Sequence, residues 1–315
     1  MNSIEKMMER LAQQKLEKSD AGSKLPLDPV LDPVAPKAVQ KVANSQVVKG
    51  PSDYSEIVQP ANRQMLKVQL EHLAAAGYLP DDYEDSTQFR EFRRIKRPIL
   101  KKAFFAENAK DALPKNLVMI SSALPGEGKT FCAINLTLNM ILERDITVML
   151  MDVDCIRRSL SRLFGLENSP GLIDVLVGES EMEAVIVNTS IPQLKILPAG
   201  RPHKHVPELL AGDRMKQLMP EIAKRYADRL VLMDTPPLLA GNDAEIISHY
   251  TGQALIVVEA GITSQSIIQE ALTQIDTTKT ETGLMLNKRQ GSGLGVAGYG
   301  YYENYSSGVS DAGNR

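Results

Sequence analysis

Six short apolar segments, separated by longer stretches of helical spacing, dominate the chain from residue 116 to residue 287. Most of these segments are almost continuously hydrophobic, as expected for parallel strands whose two faces are both covered by helices. The pattern therefore predicts an α/β fold with an open, doubly wound, mostly parallel sheet. The six predicted strands lie within residues 116–122, 146–154, 194–200, 229–237, 254–261 and 282–287.

The remaining patterns divide the chain into four parts. Apolar residues at helical spacing near the start predict a short amphipathic helix, either an ordinary surface helix or one that docks on a partner or a membrane. A polar, proline-spaced stretch follows and predicts a disordered linker. The globular domain then begins with a helix near 62–77, and a Gly- and Ser-rich stretch predicts a flexible tail. These parts are residues 1–17, 18–60, 61–288 and 289–315.

Composition excludes several classes of protein. The chain has 315 residues, with 36 Lys and Arg against 39 Asp and Glu, and a formal net charge of −3. That balance gives no general attraction to nucleic acid, so we expect no nucleic-acid partner. No apolar run approaches the ~18 residues of a transmembrane helix. Cys132 and Cys155 lack metal-ligand spacing, which is typical of a reduced cytoplasm.

The segment SSALPGEGKT, residues 121–130, carries the clearest chemistry. A predicted strand precedes it and a predicted helix follows, as a P-loop requires, although Ala123 stands where the motif has its first Gly. Gly126 and Gly128 let backbone N–H groups surround phosphate oxygens. Lys129 would reach the β- and γ-phosphates, and Thr130 would coordinate Mg²⁺. The predicted ATP-contacting residues are Pro125, Gly126, Glu127, Gly128, Lys129, Thr130, Phe131 and Asn287.

Acidic residues end two of the predicted strands. Asp152 and Asp154 end the strand VMLMDVD and, being two apart, would share one face of an extended chain. Asp234 ends RLVLMDTPP, which has the form of a Walker B strand. Where such strand ends lie beside a P-loop, one carboxylate can hold Mg²⁺ or its water while another accepts a proton from a hydroxyl. Capping of the next helix is the alternative for Asp152 and Asp154.

These motifs resemble the bacterial tyrosine kinases (BY-kinases) of capsule and exopolysaccharide clusters, which are deviant-Walker P-loop proteins. ALPGEGKT is similar to the family's Walker A, VMLMDVD to Walker A′, and RLVLMDTPP to Walker B. PELLAGDRM, residues 207–215, resembles a further family helix, with Gly212 where Ser is usual. Walker A′ departs from the common form, since Ile156 occupies the arginine position and Arg157 follows. That shift resembles stand-alone kinases linked to exosortase-type exopolysaccharide clusters and leaves the role of Arg157 open.

The resemblance implies transfer of the γ-phosphoryl group of ATP, with Mg²⁺, to tyrosines in a flexible C-terminal cluster of a neighbouring subunit. A disordered tail without an acceptor role is the alternative. A helix carrying EFRRIKRPIL, residues 91–100, holds the family's E-x-x-R-x-x-R subunit-contact pattern, although a solvated basic helix would look similar. The implied acceptors are Tyr299, Tyr301, Tyr302 and Tyr305, and the implied contact residues are Glu91, Arg94 and Arg97.

The resemblance also implies roles and partners. The catalytic residues would be Lys129, Asp152, Asp154 and Asp234, and the metal residues Thr130, Asp154 and Asp234. Asp152 is our preferred base, but the order of Asp152 and Asp154 stays open. We expect a ring-like homo-oligomer, a separate membrane chain-length regulator as activator, a cognate phosphatase, and a cytoplasmic location peripheral to the inner membrane through a partner.

Two rival functions stay open at this point. A partitioning or positioning ATPase is the first, but such proteins usually carry an early Walker A lysine where this chain has Leu124. A nucleotide-gated scaffold without catalysis is the second.

Overall fold

The computed structural model describes residues 65–78, 86–105 and 112–289. The predicted helix at 1–17, the linker at 18–60 and the four tail tyrosines lie outside the described residues. Within the described part, seven strands form one sheet in the order β3-β4-β2-β5-β1-β6-β7. The strands are β1 Leu117–Ser122, β2 Thr147–Asp152, β3 Val187–Asn188, β4 Leu194–Leu197, β5 Arg229–Asp234, β6 Gln253–Glu259 and β7 Glu281–Asn287.

The predicted mostly parallel sheet is confirmed. All six predicted strands form, and every pairing among them is parallel. The two-residue β3 is antiparallel to β4 and was not predicted, because two residues are too few to give an alternating pattern. The described helices are α1 Leu70–Ala75, α2 Thr87–Phe105, α3 Lys129–Met140, α4 Ser159–Leu163, α5 Leu172–Val177, α6 Met182–Val185, α7 Val206–Ala211, α8 Asp213–Arg225, α9 Asp243–Ser248 and α10 Gln265–Leu272, with a 3-10 turn at Leu238–Ala240.

Strands β1, β2, β5 and β6 are buried on both faces, which explains their continuous apolar sequences, whereas the edge strand β7 exposes Leu284 and Leu286. In β1, Val118 and Ile120 pack into the cluster that includes residues of α1, α2 and α3. Leu117 packs into the cluster on the opposite face, beneath α8. Because side chains alternate along a strand, a strand covered on both faces needs apolar residues at every position.

The predicted helix near 62–77 is wrong in its extent. Within the described residues the helix α1 covers Leu70–Ala75, and Leu66 forms a parallel bridge with Thr189 instead. The Leu66 N–H donates to the Asn188 carbonyl (2.9 Å), and the Leu66 carbonyl accepts from the Ser190 N–H (2.8 Å). Hydrogen bonding beside the sheet edge therefore outweighs the local helical spacing.

Helix α2 has one buried and one exposed side. Phe92, Lys96 and Ile99 are buried. Lys96 Nζ donates to the carbonyl of Asn139 in α3 (2.8 Å) and pairs with Glu143 (2.8 Å). The exposed side carries the three predicted subunit-contact residues Glu91, Arg94 and Arg97.

Candidate nucleotide-binding and catalytic site

The predicted P-loop lies between β1 and α3. Gly126 (φ +90°) and Gly128 (φ +96°) both adopt the left-handed conformation that favours glycine. A Cβ atom at Gly128 would lie 2.2 Å from Asn287 Nδ2, so a side chain at this position would also displace the Asn287 amide. Asn287, at the end of β7, donates from Nδ2 to the Glu127 carbonyl (2.8 Å). The edge strand β7 thus contacts the P-loop through Asn287, and contact of Asn287 with ATP stays a prediction.

Glu127 has a structural role that the sequence did not reveal. Its side chain is buried, and Oε2 accepts from the Leu124 N–H (2.6 Å). Oε1 accepts from the Glu259 N–H (3.2 Å) and from the Thr263 hydroxyl. The carboxylate therefore ties the P-loop to the end of β6, and contact of Glu127 with ATP stays a prediction.

The sheet brings the predicted catalytic residues together. Asp152 and Asp234 are register neighbours on the paired strands β2 and β5. Thr130 Oγ1 donates to Asp234 Oδ2 (2.7 Å). Lys129 Nζ lies 2.9 Å from Asp154 Oδ2 and 3.9 Å from Asp234 Oδ1. One lysine, one hydroxyl and three carboxylates thus converge at the mouth of the P-loop.

Asp154 reaches this cluster by a route different from the predicted one. Strand β2 ends at Asp152, so the two aspartates do not share the face of one strand. The Asp154 N–H instead donates to the Asp234 carbonyl (3.1 Å), as does the Val153 N–H (2.8 Å). Asp154 Oδ1 accepts from the Arg157 N–H (3.1 Å). Backbone hydrogen bonds after the strand, and not strand alternation, place this carboxylate against Lys129.

Asp152 is held by a residue that the sequence analysis missed. Its Oδ2 accepts from both the N–H (2.8 Å) and the hydroxyl (2.7 Å) of Ser161. The Ser161 oxygen in turn accepts from the Ala199 N–H (3.0 Å). The other oxygen, Oδ1, is buried without a hydrogen-bond partner. Asp152 is therefore oriented through one oxygen, while the other makes no hydrogen bond.

Burial gives these carboxylates unusual proton affinities. Burial raises the pKa of Asp234 to about 7, against the lowering effect of Lys129. Burial likewise raises the pKa of Asp152 to about 6, although both hydrogen bonds from Ser161 lower it. Burial lowers the pKa of Lys129, but Asp234 and Asp154 outweigh it and leave the pKa raised. Lys129 therefore stays charged at neutral pH, whereas Asp152 and Asp234 ionise near neutrality.

The oxygen donors fit a magnesium ion. Asp234 Oδ1, like Asp152 Oδ1, is buried with no hydrogen-bond partner, and Thr130 Oγ1 contacts the other Asp234 oxygen. Carboxylate and hydroxyl oxygens are the hard donors that Mg²⁺ prefers, completed by phosphate oxygens and water. No group of three or more His, Cys, Asp or Glu in residues 65–78, 86–105 and 112–289 forms a self-sufficient metal site. The metal roles of Thr130, Asp154 and Asp234 stay predictions.

The two arginines of the shifted Walker A′ motif have different surroundings. Arg158 has a left-handed backbone (φ +50°), and its Nη1 donates to the Glu167 carbonyl (2.8 Å). Arg157 is exposed, and Ile156 beside it is 67% exposed.

The segment 207–215 divides at Gly212 into α7 and α8. Among the helices that the structure describes, none is both long and apolar enough to cross a membrane.

Comparison with known proteins places this site in a family context. Residues 115–288 match AAA_31, described as an AAA domain. The chain is 33% identical over 181 residues to the tyrosine-protein kinase ptk of Acinetobacter johnsonii, covering 57% of this chain and 24% of that protein. It is 33% identical over 186 residues to the tyrosine-protein kinase YwqD of Bacillus subtilis, covering 59% of this chain and 76% of that protein.

Solved structures agree. The kinase domain of the Escherichia coli tyrosine kinase ETK superposes with a TM-score of 0.57 at 25% identity, covering 76% of this chain and 89% of that one. The chain spans 24% to 26% of the length of the first three curated relatives that it matches. The similarity to those three relatives therefore concerns only the matched part of each protein.

Proposed function

Because the chain belongs to the AAA_31 family and to the bacterial tyrosine-protein kinases, we propose that it is an ATP-dependent protein tyrosine autokinase. Its acceptors are the tail tyrosines of a neighbouring subunit, namely Tyr299, Tyr301, Tyr302 and Tyr305. The observation that carries the proposal is the convergence of Lys129, Thr130 and three aspartates on the P-loop, with two buried carboxylate oxygens left unpartnered.

Binding of ATP rests on the P-loop backbone and on Lys129. The left-handed glycines would let backbone N–H groups surround phosphate oxygens, and the start of α3 would add its positive end. Lys129, charged and held by Asp154, neutralises charge on the β- and γ-phosphates. Thr130 and Asp234 would hold Mg²⁺, which when bound neutralises charge that develops during phosphoryl transfer.

Proton removal from the acceptor is assigned to Asp152. A tyrosine hydroxyl has an unperturbed pKa of about 10, so a nearby base helps at neutral pH. Asp152, with its pKa raised to about 6, is mostly ionised at neutral pH and can take that proton on its unpartnered Oδ1. Ser161 fixes the carboxylate through Oδ2. Asp154 is the less suitable base because Lys129 occupies one of its oxygens.

The wider role follows from the resemblance. We propose that the exposed face of α2 joins subunits into a ring-like homo-oligomer, so that one subunit's tail enters its neighbour's site. A membrane chain-length regulator would act as activator on the cytoplasmic side of the inner membrane, and a cognate phosphatase would reset the tail. The process controlled would be exopolysaccharide synthesis and export.

The direct test is phosphotyrosine detection after addition of ATP and Mg²⁺ to the purified full chain. We expect signal from the wild type and none from Lys129→Met. Lys115→Met is the matched control. Lys115 precedes the start of β1, whereas the P-loop follows the end of that strand, and Lys115 pairs with Glu281 (2.7 Å). Full signal from a folded Lys129→Met variant would refute the assigned site.

The rival functions give different outcomes in the same experiment. ATP hydrolysis without phosphotyrosine would identify a partitioning-type switch, and ATP binding without either product would identify a scaffold.

Transfer between subunits is tested by mixing two variants. Lys129→Met keeps its tail but lacks activity, and a variant with Phe at the four tail tyrosines keeps activity but lacks acceptors. Phosphate on the Lys129→Met chain is expected, and its absence would contradict transfer in trans.

A further inference from the structure

Strand β7 is an edge of the sheet and carries two exposed leucines on one side. Its Met285 packs into the core cluster that includes residues of α1, α2 and α3. Leu284 and Leu286 lie on the opposite side, and they are 56% and 62% exposed. Thr282 shares that side because side chains alternate along a strand. An edge strand with exposed apolar side chains is a surface on which another strand can pair.

The backbone of β7 is also open along this edge. The Glu281 N–H donates to the Gly252 carbonyl just before β6 (3.0 Å), so the odd-numbered residues of β7 direct their backbone groups toward β6. The N–H and C=O groups of Thr282, Leu284 and Leu286 point the other way. Beyond them the described residues form no further strand. β7 therefore offers both main-chain hydrogen bonds and an apolar side to an added strand.

The backbone leaves strand geometry directly after β7. Lys288 has a left-handed conformation (φ +56°), which is typical of turns. Its Nζ donates to Glu259 Oε2 at the end of β6 (3.0 Å) and so holds this residue against the sheet. The described residues end at Arg289. Residues 290–315 therefore begin at the carboxyl end of the open edge.

The next segment of the chain has a period of two. In GSGLGVA, residues 291–297, glycine alternates with Ser292, Leu294 and Val296. An extended strand would place the three glycines on one side and the three larger residues on the other. Two of those larger residues are apolar, as are the two exposed leucines of β7. The segment therefore matches the exposed side of β7 in both period and polarity.

We propose that residues 291–297 bind the open edge of β7 in the same subunit as an eighth, antiparallel strand. With residues 288–290 as the turn, Leu294 lies opposite Leu284, and Val296 follows on the same side. The apolar side chains then meet on the exposed side of β7. The three glycines limit the stability of such a strand, so the segment can also leave the edge.

Binding at this edge controls delivery of the acceptor tyrosines, a consequence that rests on the proposed kinase function. The carboxyl end of β7 lies at the P-loop, where Asn287 contacts Glu127. A segment that returns along β7 carries Tyr299 to the opposite end of the strand, about 20 Å away for six residues at ~3.3 Å each. Release adds residues 290–298 to the free chain before Tyr299, so that this tyrosine can reach a neighbouring subunit. The bound segment is therefore autoinhibitory.

Amide hydrogen exchange on the purified full chain, without nucleotide, tests the binding directly. A double variant with Leu294→Asp and Val296→Asp places two charges on the contact side and should release the segment. We expect the outward-facing β7 amides to exchange roughly ten-fold faster in this variant than in the wild type. Val309→Asp is the matched control, because it adds a charge to the tail beyond the tyrosines and should leave the exchange unchanged. Leu284→Asp, at an exposed position, should in turn speed exchange across residues 291–297.

A kinase assay tests the consequence. With ATP and Mg²⁺, the double variant should phosphorylate its tail tyrosines up to roughly ten-fold faster than the wild type, because ten-fold protection leaves about a tenth of the wild-type segments free. Val309→Asp should match the wild-type rate. Equal rates in a double variant whose β7 exchange is faster would overturn autoinhibition.

The outcomes separate this inference from the proposed function. Equal β7 exchange in the double variant and the wild type would overturn the inference and leave the proposed function standing, because no ATP is present. Protection that increases with protein concentration would assign the edge to a second copy of the chain and overturn binding within one subunit. Absence of phosphotyrosine in the wild type would overturn the proposed function, whereas the exchange result would still decide whether the segment binds.

Discussion

Asp234→Asn should change how the stability of the nucleotide-free protein depends on pH. Asp234 is fully buried, its pKa is raised from 3.8 to about 7, and its Oδ1 has no hydrogen-bond partner. The folded protein therefore binds this proton more tightly than the unfolded chain does. The free energy of unfolding must then fall as pH rises from about 4 to about 7, and level off above that range.

The magnitude follows from linkage. At about pH 5.5 the folded-state carboxyl is protonated while the unfolded one is ionised, and by about pH 8 both are ionised. The Asp234 contribution to the free energy of unfolding should drop by about 2 kcal/mol between these conditions. Asp152, with its pKa raised to about 6, adds a smaller drop of roughly 1 kcal/mol over the same interval. Asp234→Asn should remove the larger part of the pH dependence.

Urea denaturation at the two pH values, without nucleotide or metal, measures this difference. Asn can still accept the hydrogen bond from Thr130, and Lys129 keeps Asp154 as its partner. The variant should therefore fold and be relatively more stable at the higher pH, while losing affinity for ATP with Mg²⁺. An unchanged pH dependence would show that Asp234 is not the group that titrates. Asp152→Asn serves as the comparison and should remove only the smaller part.

Further predictions concern the loop, the subunit contact and the tail. Gly128→Ala should destabilise the protein by about 1 to 3 kcal/mol and weaken nucleotide binding, because its Cβ would lie 2.2 Å from Asn287 Nδ2. Gly126→Ala, with open space around it, should cost less in thermal denaturation, and equal losses would contradict the steric argument. Replacing the exposed α2 residues Glu91, Arg94 and Arg97 by alanine should lower both the oligomer mass measured by light scattering and the autophosphorylation rate. If neither changes, this face of α2 is an ordinary solvent-exposed surface and not a subunit contact. Full phosphorylation of the four tail tyrosines adds roughly −6 to −8 charges and should favour smaller oligomers than the four-Phe variant forms, whereas equal sizes at physiological salt would remove the tail as a switch.

The sequence pattern predicts those features that depend on residues close together in the chain. Continuous apolar segments specify buried parallel strands, because both faces of such strands are covered. The P-loop is predictable because its glycines, its Lys129 and its Thr130 act within a few residues of one another. Asp234 was found for the same reason, as the acid that ends an apolar strand. The short β3 and the true start of α1 were missed, because both depend on hydrogen bonds made beside the sheet edge.

The tertiary structure decided how the site is held. Asp152 and Asp234 are neighbours because β2 pairs with β5, an order that no periodicity encodes. Asp154 reaches Lys129 through backbone bonds to the end of β5, and Asn287 reaches the P-loop from the last described strand. Tyr78 lies beside Phe131 because α1 ends against α3. Each of these contacts joins segments that are remote in sequence, and sequence pattern carries the propensity of a segment but not its neighbour in the folded sheet.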